Sequence, residues 1–512
     1  MQNKLTWSVS RWRPEWLLLL LFSALLILNR VMVYRYVNLS LIDSDQPFMW
    51  IGAADYAKGH VYEPRFYGQD YNTFLESLFA LPYLYAGLPV YKALPLATHT
   101  LFLLPFLFIA FYLSYKKSPS IGLLVLAIPL CLPAGYEVLT GIPRGFITGI
   151  FFSAFLLPAL VNPLKPLQWT LSAVLAVLGY FINANSVMVS LPVLFYLFLV
   201  NLRTPRYYLF TGLGLLSVVP CYFLFDYFYA LHPDYVVYNL VNEFDLKYFL
   251  QNLTHLDEAF VHLSFIAEHQ SIGMLLLIAG FTVYFYRHNQ RLFLVLLCLI
   301  LLLLLSFFAS KVREGSNWPF YSYSRMYLGL PLLLGMLLYF VKPLKKTRRY
   351  MLVILVLGFS SYKLYTFPQA IARYSDRQQW VGVHLEHIDS VKELMRFYKA
   401  HCKQEQCDTL IIANRFWMNT YLNYGGPAID PDFPYTMETN SERRYRVREA
   451  MMNRVVPRFV YISAKYDLDR RLAQNTRLRL KRLDDYGLYL VQGNTYTMSE
   501  FCSLINPIEE SD

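Results

Sequence analysis

From residue 41 the sequence reads LIDSDQPFMWIGAADYAKGHVYEPRFYGQDYNTFLESLFALPYLYA, with acidic residues at Asp43, Asp45, Asp55, Glu63, Asp70 and Glu76. Carboxylates can take a proton from an attacking hydroxyl or amine, and a close pair of them can hold a hard divalent cation such as Mg or Mn. Asp43 and Asp45 stand a few residues beyond an apolar run, so they are held near a membrane surface, where an ionisable residue is a functional candidate. Asp55 and Glu63, flanked by polar residues, read as solvated loop carboxylates. Four basic residues, Arg144, Lys311, Arg313 and Arg325, complete the set with chemical potential. Their structural alternative is ion pairing with Glu137 and Glu314, or contact with lipid headgroups.

The elements that must position these residues are mostly apolar. Of 512 residues, 56% are hydrophobic, 17% aromatic and only 16% charged, a balance that excludes an ordinary water-soluble globule. Apolar runs near the bilayer-crossing length of about 20 residues fall at residues 15–36, 94–115, 119–136, 146–162, 168–183, 187–201, 207–230, 271–286, 292–310, 326–341 and 349–366. Hydropathy therefore predicts a polytopic α-helical membrane protein of about eleven spans. The first run, Trp16 to Arg35, has no small-residue cleavage site after it and reads as a retained helix. Residues 168–201, interrupted only by Asn183, Asn185 and Ser186, read as one long span or a hairpin of two.

Net charge is +11, but most Lys and Arg cluster in short loops between the runs, which topology explains without nucleic acid. With Lys4, Arg11 and Arg13 cytoplasmic, the clusters at Lys116 and Lys117, Lys165, Arg203 and Arg206, Arg287 and Arg291, and 342–349 all fall inside. An odd number of spans then exports the C-terminal part. Arg144, Lys311, Arg313 and Arg325 lie outside, against that bias, and topology does not account for them. The long non-cytoplasmic segments are 37–93, 231–270 and 311–325.

From about residue 367 charged residues become frequent and apolar runs shorten, as in DTLIIA (408–413), RFVYIS (458–463) and YGLYLVQ (486–492). With helix-like stretches at 388–401 and 466–473 between them, these predict a small soluble α/β domain over 367–512, behind a membrane domain over 1–366. It carries no Gly-rich nucleotide loop, zinc-ligand spacing or repeat. Cys402 and Cys407 would form a disulfide only in an oxidising compartment, whereas Cys131, Cys221 and Cys298 read as small buried hydrophobes. His99 reads as a packing residue, and Asn38 and Asn252 match the short glycosylation-acceptor pattern.

The first external loop resembles that of the GT-C superfamily, the multi-span glycosyltransferases that use polyprenyl-phosphate sugars and include protein O-mannosyltransferases and the lipid A aminoarabinose transferase. Asp45 and Gln46 stand where many bacterial members have an Asp-Glu pair; Tyr67, Gly68, Gln69, Asp70 and Tyr71, then Leu75, Glu76 and Ser77, match a second stretch. The chain departs from the pattern at Gln46 and gains Asp43, leaving the catalytic role open between two aspartates. The match covers roughly residues 41–90, and span number, orientation and an exported C-terminal domain extend it loosely.

The resemblance implies inverting transfer of a sugar from a polyprenyl-phosphate donor to a glycan, lipid or protein acceptor, on the periplasmic side of a bacterial inner membrane. Asp45 is the first choice of general base; Asp43 would substitute, orient the acceptor or share a divalent cation with it. Arg144, Arg313, Arg325 and Lys311 would hold the leaving phosphate, the arginines favoured by their bidentate geometry. Asp70, Glu76, Tyr67 and Gln69 would line the substrate site or hold the loop, the tyrosines serving alternatively as interface anchors. Two other classes stay open: a transporter or flippase of lipid-linked glycans, which predicts inverted repeats that the sequence does not display, and a non-catalytic envelope assembly protein, for which Asp43 and Asp45 are dispensable.

Overall fold

The computed structural model describes residues 14–69, 72–235, 243–264, 271–376, 385–413, 418–439, 451–465, 467–468, 472, 478–485 and 487–510. Lys4, Arg11, Arg13, Asp70, Tyr71 and most of 466–473 lie outside these residues.

Helix α1 (Pro14–Val33) runs through a π-helical turn, Tyr34–Asn38, into strand β1 (Leu41–Asp43). The first loop then folds as two helices, α2 (Gln46–Ala57) and α3 (Leu75–Tyr85). Next come α4 (Val90–Lys116), α5 (Pro119–Leu130), α6 (Ala134–Leu139), α7 (Thr148–Ala154), α8 (Leu157–Val161), α9 (Pro166–Ile182), α10 (Val187–Asn201) and α11 (Pro205–Leu231). Prolines open α5, α9 and α11 in the first turn, where the missing N–H has no helical partner to lose. The ambiguous stretch 168–201 forms two helices: Asn183 is extended and its side chain accepts from the Asn185 N–H at 3.1 Å, ending α9 before α10 begins. Two short helices, α12 (Leu246–Thr254) and α13 (Leu256–Ala259), precede α14 (Ser271–His288), α15 (Gln290–Ser306), α16 (Leu330–Leu337) and α17 (Lys346–Asp376).

Among the described residues, six helices are long and apolar enough to cross a membrane: Pro14–Asn38, Val90–Lys116, Ala184–Asn201, Pro205–Leu231, Tyr323–Phe340 and Lys346–Arg373. Shorter apolar helices cover Pro119–Leu130, Thr148–Val161, Pro166–Ile182 and Gln290–Ser306. Large side chains on α11, such as Leu216, Phe223 and Leu224, stand exposed, a surface suited to lipid rather than water.

The C-terminal part contains α18 (Ile388–Gln404), α19 (Gly426–Ile429) and α20 (Met498–Glu510) around a sheet ordered β4-β3-β5-β7-β6. Its strands are β3 (Thr409–Ile412), β4 (Tyr435–Glu438), β5 (Arg458–Ile462), β6 (Arg479–Arg482) and β7 (Leu488–Gln492). Strand β3 is parallel to β4 and β5, while β7 runs antiparallel to β5 and β6. The two-residue period sends Ile411, Phe459, Tyr461 and Val491 into one core with Phe501 of α20. It sends Leu410, Ile412, Val460 and Ile462 into another, shared with α18 and with Ile42, Phe48 and Trp50 of the first loop.

Strand β1 pairs antiparallel with β2 (Leu385–His387), Asp43 opposite Leu385, and Tyr421 donates to the Ile42 carbonyl at 3.3 Å. First loop and C-terminal domain therefore lie on one side of any membrane that α1 and α17 cross. Cys402 and Cys407 are free thiols, so no disulfide supports export of this domain; Cys407 instead donates to the Glu405 carbonyl.

Candidate active site

Asp43 ends β1 fully buried, and its Oδ1 accepts from the N–H groups of Asp45 (3.0 Å) and Gln46 (3.1 Å), capping the start of α2. Its Oδ2 stands 3.5 Å from Arg144 Nη1. Asp45 ion-pairs with the same guanidinium, but its side chain is 34% exposed. Burial pushes the Asp43 carboxyl up, with Arg144 opposing the shift. The two aspartates thus differ in kind: one is a buried brace, the other a carboxylate that solvent can reach.

Arg144 is fixed from three directions. Its Nη1 donates to the Phe320 carbonyl at 2.7 Å, and its guanidinium lies 5.1 Å from the Tyr321 ring centroid. Behind it, Gly145 adopts a φ of +76°, a left-handed geometry that suits glycine and that accompanies a 3.0 Å bond from its N–H to Glu76 Oε2. Burial raises the Glu76 carboxyl to about 8. Asn183 donates to the Gly145 carbonyl (2.9 Å), and Asn185 donates to the carbonyls of Phe146 (2.6 Å) and Arg325 (3.3 Å). The polar turn between α9 and α10 therefore ties the Arg144 turn to the Arg325 loop.

Arg325 lies 4.2 Å from the Tyr321 centroid, so that ring carries two guanidiniums, and Arg325 also donates to the Ser322 carbonyl. Lys311 pairs with Glu314; burial lowers its pKa, Glu314 opposes this, and the charges of Arg325 and Arg144 add to the fall. Arg313 is turned elsewhere, donating to Glu258 at 2.8 Å. Of the four basic candidates, Arg144 meets the aspartates, Arg325 shares the Tyr321 ring with it, Lys311 lies within reach of both charges, and Arg313 is held by Glu258.

The other loop residues serve its interior. Tyr67 is buried and donates to Asp55 at 2.9 Å, packing its ring edge-on against Phe74, a placement that corrects the expectation of a sugar-stacking or anchoring tyrosine. Gln69 is likewise buried, and Asp70 lies outside the described residues. Asp55 and Glu63 are not solvated: both are buried, and Tyr229 of α11 donates to Glu63 at 3.2 Å, whose carboxyl burial raises to about 8. Asn38 and Asn252 are also buried and hydrogen-bonded, which removes them as glycosylation acceptors; Asn38 meets His99 Nε2 at 2.9 Å.

A divalent cation between Asp43 and Asp45 does not fit this donor set, because Arg144 contacts both carboxylates and takes the bridging role. Among the described residues, no group of three or more His, Cys, Asp or Glu could hold a metal.

A second charged cluster joins α1, α6 and α17, and nothing in the spacing of its residues along the sequence points to it. Glu137 ion-pairs with Arg30 of α1 and, at 3.0 Å, with Lys363 of α17, so it is not the partner of Arg144. Arg30 also donates to the Glu137 carbonyl and sits 3.4 Å from the Phe102 ring centroid. All three residues are buried. The available signal is two cations inside otherwise apolar runs, Arg30 and Lys363, and a carboxylate, Glu137, just past the end of another.

No protein-family model and no curated protein sequence matches this chain.

Proposed function

We propose that the chain is a membrane glycosyltransferase that moves a sugar from a polyprenyl-phosphate donor to a glycan, lipid or protein acceptor. The observation that carries the reading is the contact between a half-exposed carboxylate, Asp45, and a buried guanidinium, Arg144, just past the first membrane helix. An inverting transfer needs a base and an anion-binding group side by side. As the acceptor oxygen or nitrogen bonds to the anomeric carbon, Asp45 takes its proton. The carbon–oxygen bond to phosphate breaks with its electron pair passing to the phosphate, whose charge Arg144, Arg325 and Lys311 stabilise. Phosphate arriving at Arg144 competes with Asp45 for the guanidinium, so donor binding itself frees the base. Asp43, buried and bonded to the start of α2, positions Asp45 and Arg144.

The membrane frame supports this reading. Pairing of β1 with β2 requires an even number of crossings between them, which agrees with eleven spans in all. With the N-terminus cytoplasmic, the site and the C-terminal domain are periplasmic in a bacterial inner membrane. The buried Arg30–Glu137–Lys363 cluster favours a second reading, transport of a lipid-linked glycan, since charges inside a bundle often mark a pathway.

The deciding measurement is transfer from radiolabelled polyprenyl-phosphate sugars by proteoliposomes of wild type, Asp45→Asn, Asp43→Asn and Arg144→Ala at equal protein. Loss of transfer in Asp45→Asn with donor binding kept supports the transferase. Wild-type proteoliposomes that flip the donor without transferring it point to the transporter.

A further inference from the structure

Helix α12 lies between α11 and α14, outside the helices long enough to cross a membrane, and its side chains divide among three faces. One face meets protein: Phe249 stacks on Phe308 with centroids 4.6 Å apart, and Asn252 donates to the Phe307 carbonyl at 2.8 Å. A second carries Lys247, Gln251 and Thr254, all exposed. The third is a stripe of Leu246, Leu250 and Leu253, spaced i, i+4, i+7, which are 59%, 54% and 47% exposed; Phe244, just before the helix, is 73% exposed.

A helix exposed only to water does not give one whole face to leucine, whereas one at a bilayer boundary has protein, water and acyl chains on its three sides. Its depth is fixed independently. The Asp245 N–H donates to the Phe308 carbonyl (3.0 Å) and the Ser310 N–H to the Glu243 carbonyl (2.8 Å), strapping the start of α12 to residues just beyond the end of α15 at Ser306. Leu301 and Leu305 of α15 are themselves exposed, so its bare apolar side continues to the level where α12 begins.

We propose that α12 is an interfacial helix, with Phe244, Leu246, Leu250 and Leu253 sunk into the leaflet at the outer end of α15 and Lys247, Gln251 and Thr254 in water. The occupant is a lipid surface, because the stripe joins the exposed leucines of a helix already apolar enough for lipid. The inference stands whether or not the chain transfers sugar. Its consequence for the site is vertical: the strap that holds α12 also begins the loop bearing Lys311 and Arg325, so the helix sets the height of those cations against the headgroups.

Nitroxide labels at Leu250→Cys and Gln251→Cys, in full-length Cys221→Ser protein reconstituted into phospholipid vesicles, test this. The parent without a new cysteine supplies the background, and size-exclusion profiles verify folding. Collisions with oxygen should exceed those with a water-soluble nickel chelate severalfold at residue 250, and the order should reverse at 251. Nickel access at both positions overturns the proposal in favour of a water-exposed helix. Protection of residue 250 from both reagents overturns it in favour of a covering protein, including a second copy. Should either label disturb folding, paramagnetic broadening by nitroxide-labelled lipids of a fluorine probe at Leu253, set against one at Thr254, gives the same discrimination.

Discussion

Two charged clusters sit one above the other, and they are built to opposite ends. In Arg30–Glu137–Lys363, one carboxylate serves two cations, and all three side chains are sealed from solvent. In Asp43–Asp45–Arg144, one cation serves two carboxylates, and one of these is open. A sealed network of this kind is expensive to break, because each lost partner strands a desolvated charge. An open one can exchange partners at small cost. The first fastens α1, α6 and α17 together; the second has a removable member, as a site that binds an anion and then uses a base requires.

Asp45→Asn should produce the largest effect and the cleanest contrast: sugar transfer falls by about 10²–10⁴, while the melting temperature stays near wild type because Arg144 keeps Asp43 and the Phe320 carbonyl. Its affinity for polyprenyl phosphate should rise, since the competitor for Arg144 is gone; an unchanged affinity breaks the exchange argument. Glu137→Gln should do the reverse, lowering stability by about 3–5 kcal/mol in denaturant unfolding. Near-normal stability there would make the lower cluster a pathway rather than a fastening.

Asn185→Ala should cost about 1–3 kcal/mol, through carbonyls of Phe146 and Arg325 left without their donor. In assays it should raise the KM for donor more than it lowers kcat, because the two arginine-bearing segments lose their tie. Glu76 gives the most specific effect. Its carboxyl is raised from 4.5 to about 8, so its contribution to stability is complete below the lower value and is lost as pH rises through the upper one. Melting of the wild type should therefore fall more steeply than that of Glu76→Gln across about pH 5 to 8. Parallel curves would show that Glu76 is already ionised in the fold.

Apolar runs were legible because hydropathy is a local property: helices fall in the expected stretches, although 119–136 ends its helix at Leu130, 146–162 divides into two short helices, and only six helices are long and apolar enough to cross a membrane among the described residues. Strands β3, β5 and β7 fall within the short apolar segments for the same reason. Asp43 and Asp45 were visible from their place after a long helix. Their division of labour was not, since it depends on a helix start that Asp43 caps and on an arginine a hundred residues away. The lower cluster was hidden more deeply. Arg30, Glu137 and Lys363 each look like a tolerated charge near a helix end, and only the fold brings them together. The polar neighbours of Asp55 and Glu63 in sequence suggest solvent, but neighbours in sequence are not neighbours in space, and Tyr67 and Tyr229 enclose these carboxylates.

Among the described residues, the strand that ends in Asp43 has its one ladder partner in Leu385–His387, beyond helix α17. During synthesis the acidic loop therefore emerges long before the segment that gives it register. It must wait, unpaired, while the apolar helices that follow it are made. Order at the site becomes a signal that the whole chain has been threaded, and a chain stalled partway presents the aspartates without the strand that aligns them.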